Sequence, residues 1–133
     1  QVADTKRFNG GERICLFDDS VYFTTKGDNV VRRYTPSTNA LVEVYRAGSG
    51  AVLTGVDNIT TNQAGDLFVA EDGGDMQIVM VRGTTAEAVA QVTGVSGSEM
   101  TGPAFSPDGS RLYFSSQRNP GRTYEVTGPW QHL

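Results

Sequence analysis

Acidic and amide side chains recur along this chain in short clusters: Asn9-Gly10-Gly11-Glu12, Val56-Asp57-Asn58 and Ser98-Glu99-Met100-Thr101, with Glu71-Asp72 as a further pair. Carboxylates and side-chain amides are hard oxygen donors. Several of them converging on one point would suit a cation such as Ca²⁺, which takes about 6–8 oxygen ligands. A single acid in such a place is an ordinary solvated turn residue. Recurrence at one phase of a repeat makes Glu12, Asp57, Asn58 and Glu99 candidates for metal or substrate binding. Asp72-Gly73-Gly74-Asp75 also reads as a plain hairpin turn.

Other chemistries fit the residue inventory poorly. Cys15 is the sole cysteine and lies in the apolar run Ile14-Cys15-Leu16-Phe17, so it reads as a small buried hydrophobe. His132 is the sole histidine and stands next to the last residue. A Ser-His-Asp or Cys-His mechanism within this chain is therefore not expected, and a zinc site built on several His and Cys ligands is excluded by count. The net charge of −4 and the lack of a basic block argue against a nucleic-acid partner. The apolar runs are too short for a membrane-spanning helix. The polar opening Gln1-Val2-Ala3-Asp4 shows no signal peptide, which is compatible with a mature secreted product.

The elements that must position these clusters are short strands. Sixteen glycines and many Ser, Thr, Asn and Asp residues imply frequent tight turns. Ser20–Thr25 (SVYFTT), Asp66–Glu71 (DLFVAE) and Arg111–Ser116 (RLYFSS) share one pattern, polar then aliphatic-aromatic-apolar then small or polar. Val21 and Leu67 are 46 positions apart, and Leu67 and Leu112 are 45 apart. A period of about 40–50 residues made of short strands marks propeller blades, each of which buries its faces only by stacking on its neighbours. The expected fold is all-β: one partial β-propeller domain over 1–133, about three four-stranded antiparallel blades, roughly 8–46, 56–93 and 99–133, the last incomplete.

In the first blade the strands are expected at Gly11–Phe17, Ser20–Thr25, Asn29–Tyr34 and Leu41–Tyr45. In the second they are expected near Asn58–Thr61, Asp66–Ala70, Met76–Val81 and Ala88–Val92, where Ala86–Gln91 is read as strand despite some helical propensity. In the third they are expected at Pro103–Ser106, Arg111–Ser115 and Thr123–Thr127. Inner strands line the channel of a propeller, so the acidic clusters fall where a site would be built. Three blades leave open faces and edges, which proteins avoid; completion by a second copy, another chain or further blades is expected.

Several stretches resemble the PhoX-type alkaline phosphatase family, in its C-terminal half. They are Asp57-Asn58-Ile59-Thr60, Gly65 to Gly74 (GDLFVAEDGG), Gly97 to Gly109 (GSEMTGPAFSPDG) and Thr123 to Trp130 (TYEVTGPW). Phe8 to Glu12 (FNGGE) and Val21 to Asn29 (VYFTTKGDN) are similar to the preceding blade. The resemblance implies a secreted or periplasmic propeller that hydrolyses phosphate monoesters with calcium and iron. It also implies Glu12, Glu71 and Glu99 as candidate metal ligands, with Asp57 and Asn58 beside them. Arg13 stands after Glu12 where the family pattern suggests glycine. Two readings follow: a metal-dependent phosphoesterase once the ring is complete, with the isolated chain inactive, or a non-catalytic propeller module that binds a partner or calcium within an assembly.

Overall fold

The computed structural model describes residues 4–95 and 97–131; His132 lies outside them. Eleven strands and two single-turn 3-10 segments make up the described residues. The first sheet holds β1 (Gly11–Phe17), β2 (Ser20–Thr25), β3 (Val30–Thr35) and β4 (Ala40–Arg46) in sequential order. The second holds β5 (Val56–Thr61), β6 (Leu67–Glu71), β7 (Gln77–Arg82) and β8 (Thr85–Gln91). The third has β9 (Met100–Phe105), β10 (Arg111–Ser116) and β11 (Arg122–Thr127). All pairings are antiparallel. The chain is thus all-β and built as propeller blades, with the third sheet one strand short of the other two.

Alternation along the strands explains the stacking. Leu67 and Val69 face one way on β6, Phe68 and Ala70 the other, and every residue of β6 is buried. The first pair joins Val79 and Val81 in a cluster that also packs Cys15, Tyr22, Val31 and Val44 of the first sheet. The second pair joins Ile78 and Met80 against Met100, Leu112, Phe114 and Trp130. The middle blade therefore reads as a continuous apolar run because it is covered on both faces.

Strand starts differ from expectation in a consistent way. β5 begins at Val56 and β9 at Met100, before the expected Asn58 and Pro103. Each inner strand continues through a one-residue β-bulge, between Gly11 and Ile14, Val56 and Ile59, and Thr101 and Ala104. A bulge interrupts the alternation that sequence patterning relies on and re-aims the side chains it carries. Glu12-Arg13, Asp57-Asn58 and Gly102-Pro103 occupy these bulges. Glu12 and Asp57 are repeat equivalents, whereas Glu99 lies just ahead of β9. The outer strand β8 starts at Thr85, three residues before the expected Ala88.

Candidate metal centre

Inner strands β1, β5 and β9 lie side by side, in contact along the axis. The β5 bulge carries Asp57, buried at the junction of the blades. Thr24 Oγ1 of the first blade donates to the Asp57 backbone carbonyl. Asn58 Nδ2 donates to Asp57 Oδ1 at 2.6 Å, while Asn58 Oδ1 accepts from Thr101 Oγ1 (2.9 Å) and the Gly102 backbone N–H (2.8 Å). Asn58 thereby ties the second blade to the bulge of the third and fixes the Asp57 carboxylate. Its amide oxygen is spent on β9.

Glu99 precedes β9 and is buried. Its carbonyl accepts from the Gln117 N–H at 3.0 Å, and Ser98 Oγ accepts from the Arg118 N–H at 2.9 Å, so the segment is sewn to the end of β10. Asp72 follows β6. Its N–H donates to the Gly55 carbonyl at 2.8 Å. Gly55 has φ +60°, and a Cβ there would stand 2.8 Å from the Asp72 carbonyl oxygen; this close crossing needs glycine.

The result is a convergence of three carboxylates from three chain segments. Ligand oxygens of Asp57, Asp72 and Glu99 all lie within 4.8 Å of one another. Lys26 Nζ pairs with Asp72 Oδ2, and Arg118 Nη2 sits 3.2 Å from Glu99 Oε1. Three negative charges thus face two positive ones.

The other expected ligands are placed differently. Glu71, at 1% exposure, points away from Asp72 as strand alternation requires. Its Oε1 accepts from the Thr54 N–H at 2.9 Å and its Oε2 from the Gln77 N–H at 3.2 Å, which clamps the loop before β5 to the start of β7. Burial pushes its carboxyl above the usual range, against the opposing pull of these hydrogen bonds. Glu12 is exposed on the β1 bulge, outside the three-carboxylate group. Asp72 was legible in the sequence only as a neighbour of Glu71. Period-2 alternation puts the two on opposite faces of β6, but does not say which of them meets other carboxylates.

A family model described as alkaline phosphatase PhoX matches residues 22–121. The chain belongs to the PhoX alkaline phosphatase family. The match takes in the carboxylate cluster and both of its cations. No curated protein sequence matches. Among solved structures, a luciferin-regenerating enzyme is similar with a TM-score of 0.72 at 19% identity, over 92% of this chain and 46% of that one. Virginiamycin B lyase from Staphylococcus aureus is similar with a TM-score of 0.63 at 15% identity, over 91% of this chain and 42% of that one. Both are β-propeller enzymes, and at these identities they speak to the fold alone. This PhoX chain spans less than half the length of either. PhoX-family phosphatases depend on metal in general, and the residues here suit one. The donors are hard oxygens, two of the three carboxylates are buried, and their charge exceeds that of the cations beside them.

Proposed function

We propose that this chain is part of a secreted or periplasmic PhoX-like propeller that hydrolyses phosphate monoesters in a metal-dependent way once its ring is complete. The observation that carries the reading is the convergence of Asp57, Asp72 and Glu99 at the axial ends of adjoining blades in a PhoX-family chain. These three would hold the cation, calcium being the hard ion their oxygens suit best and iron the second that the family implies. Glu12, at the equivalent bulge of the first blade, would add a carboxylate from the neighbouring side. A cation bound there would polarise a phosphoryl group and stabilise charge on the transferring oxygens.

The chain's own residues supply position. Asn58 orients Asp57, Ser98 and the end of β10 hold the Glu99 segment, and the Gly55 crossing sets Asp72. Lys26 and Arg118 place positive charge at the rim, where an anionic substrate would arrive.

Completion is part of the proposal. The free face of the first blade exposes Phe8, Ile14, Leu16 and Leu41, and Phe8, Ile14, Val21, Phe23, Tyr34 and Leu41 line a shallow apolar groove on it. A further sheet with an apolar face of its own, from this or another polypeptide, fits that surface. The free face of the third blade is polar: Tyr113 donates to Glu125 at 2.6 Å, Ser115 and Thr123 are hydrogen bonded at 3.0 Å, and Arg111 pairs with Glu125. Head-to-tail closure by two copies would set the apolar face on the polar one, which disfavours that arrangement.

The test is p-nitrophenyl phosphate hydrolysis by the assembled ring and by the isolated chain, with and without a chelator. Chelator-sensitive turnover confined to the assembly is expected. Turnover that survives metal removal would sink the metal mechanism, and an inert closed ring would favour a binding module.

A further inference from the structure

We propose that Lys26 and Arg118 are resident counter-ions of the carboxylate cluster, which an incoming divalent cation must displace, so that these two side chains set the cluster's cation affinity. The proposal deepens the metal-binding reading and rests on it.

Three observations lead there. Anions and cations differ in burial: the side chains of Glu99 and Asp72 are 11% and 21% exposed, those of Arg118 and Lys26 56% and 41%. The carboxylates are built in, while the cations reach them on long, solvated stems that can swing out at little desolvation cost. Next, the backbone is anchored where the side chains are not. The Lys26 N–H donates to the Gly10 carbonyl at 2.7 Å, and the Arg118 N–H to Ser98 Oγ at 2.9 Å. Each cation thus stays beside the cluster whether or not its side chain is engaged.

The third observation is a charge reversal at equivalent places. Gly11 pairs with Thr25 and Val56 with Glu71, each just ahead of its bulge. Lys26 and Asp72 are the next residues along, so the first blade offers a cation at the register position where the second offers an anion. Neutralising two of three crowded carboxylates makes the metal-free fold tolerable, since like charges this close repel. A divalent ion does the same more strongly. An ammonium or guanidinium on these oxygens repels a divalent ion and occupies lone pairs that the ion would use, so the two compete.

Calcium titration calorimetry and thermal unfolding of the 133-residue chain and its Lys26→Met variant test this. Lys26→Met is expected to bind calcium about tenfold more tightly, the effect of removing one unit charge from beside a divalent ion in a solvated site. Its melting temperature should fall below that of the parent chain in chelator, and the gap should close in saturating calcium. Arg118→Gln, on a more exposed arm, carries the same expectation if Lys26→Met does not fold. Calcium binding that is unchanged or weaker in the variant overturns the proposal alone. Absence of calcium binding by parent and variant overturns it together with the metal reading.

Discussion

At the residue scale, charged groups in this chain are used in two ways. In the first blade, Arg32 is nearly buried and donates through Nη2 to Asp28 Oδ2 at 2.5 Å, with its guanidinium 5.4 Å from the Phe8 ring centre. Hydrogen bonds from Arg32 and then Thr25 hold the Asp28 carboxyl down to about 2. An unfolded aspartate titrates near ~3.9. The folded value is lower, so the pair's contribution to stability is complete above about pH 4 and is lost as pH falls toward 2. Asp28→Asn should lower the melting temperature at pH 7 and flatten its fall between pH 4 and 2; a fall as steep as the parent's would remove Asp28 from the account. The second use is the three-carboxylate cluster, where charges of one sign are brought together. Asp57 and Glu99 were legible there as polar residues beside inner strands. The choice of Asp72 over Glu71 was not, because it depends on contacts with the Gly55 loop and with the first blade, which lie far from the pair along the chain.

At the scale of elements, the site depends on irregularities more than on regular strand. The bulges carry Glu12 and Asp57, and one on β9 brings the Gly102 N–H to Asn58. The loop before β5 is held to β6 by the Gly55 carbonyl and to the Glu71 carboxylate by the Thr54 N–H. Gly55→Ala would place a Cβ 2.8 Å from a backbone oxygen at a positive φ. It should cost about 1–2 kcal/mol or more in denaturant unfolding and, on the proposed metal-binding reading, weaken calcium binding by shifting Asp72. A variant of parental stability would mean that the crossing is not tight.

At the scale of the whole molecule, the two ends of the stack differ. Ile14 and Leu16 of the first blade are 65% and 68% exposed, whereas the third blade's free face satisfies its polar groups internally. Trp130 closes the junction of the second and third blades, donating to the Val126 carbonyl at 3.0 Å, while its own carbonyl accepts from Asn62 Nδ2 at 2.7 Å. On the proposed completion of the ring by a further sheet on this face, Ile14→Lys with Leu16→Lys should abolish assembly, read as native mass by light scattering. The double variant should unfold at the parental monomer's temperature, because neither side chain is in the packed junctions. Unchanged mass in a chain that does assemble would place the interface elsewhere.

The amino-acid sequence by itself determined the all-β repeat, since alternation, turn chemistry and a 45–46-residue period depend only on local order along the chain. It also carried the family, through motifs such as Ser98-Glu99-Met100-Thr101-Gly102-Pro103, and the neighbourhood of the site. Only the tertiary structure decided the membership of that site. Bulges shift the facing of side chains by one residue without a sign in composition, as at Glu12 and Asp57. On β6, which has no register shift with β7, contacts from the Gly55 loop made Glu71 a buried clamp, and Asp72, just past the strand end, joined the cluster. Asn58 turned its amide oxygen to the next blade, and Lys26 crossed from one sheet to an acid of another. Such contacts join residues more than 40 positions apart, and no local pattern in the chain encodes them.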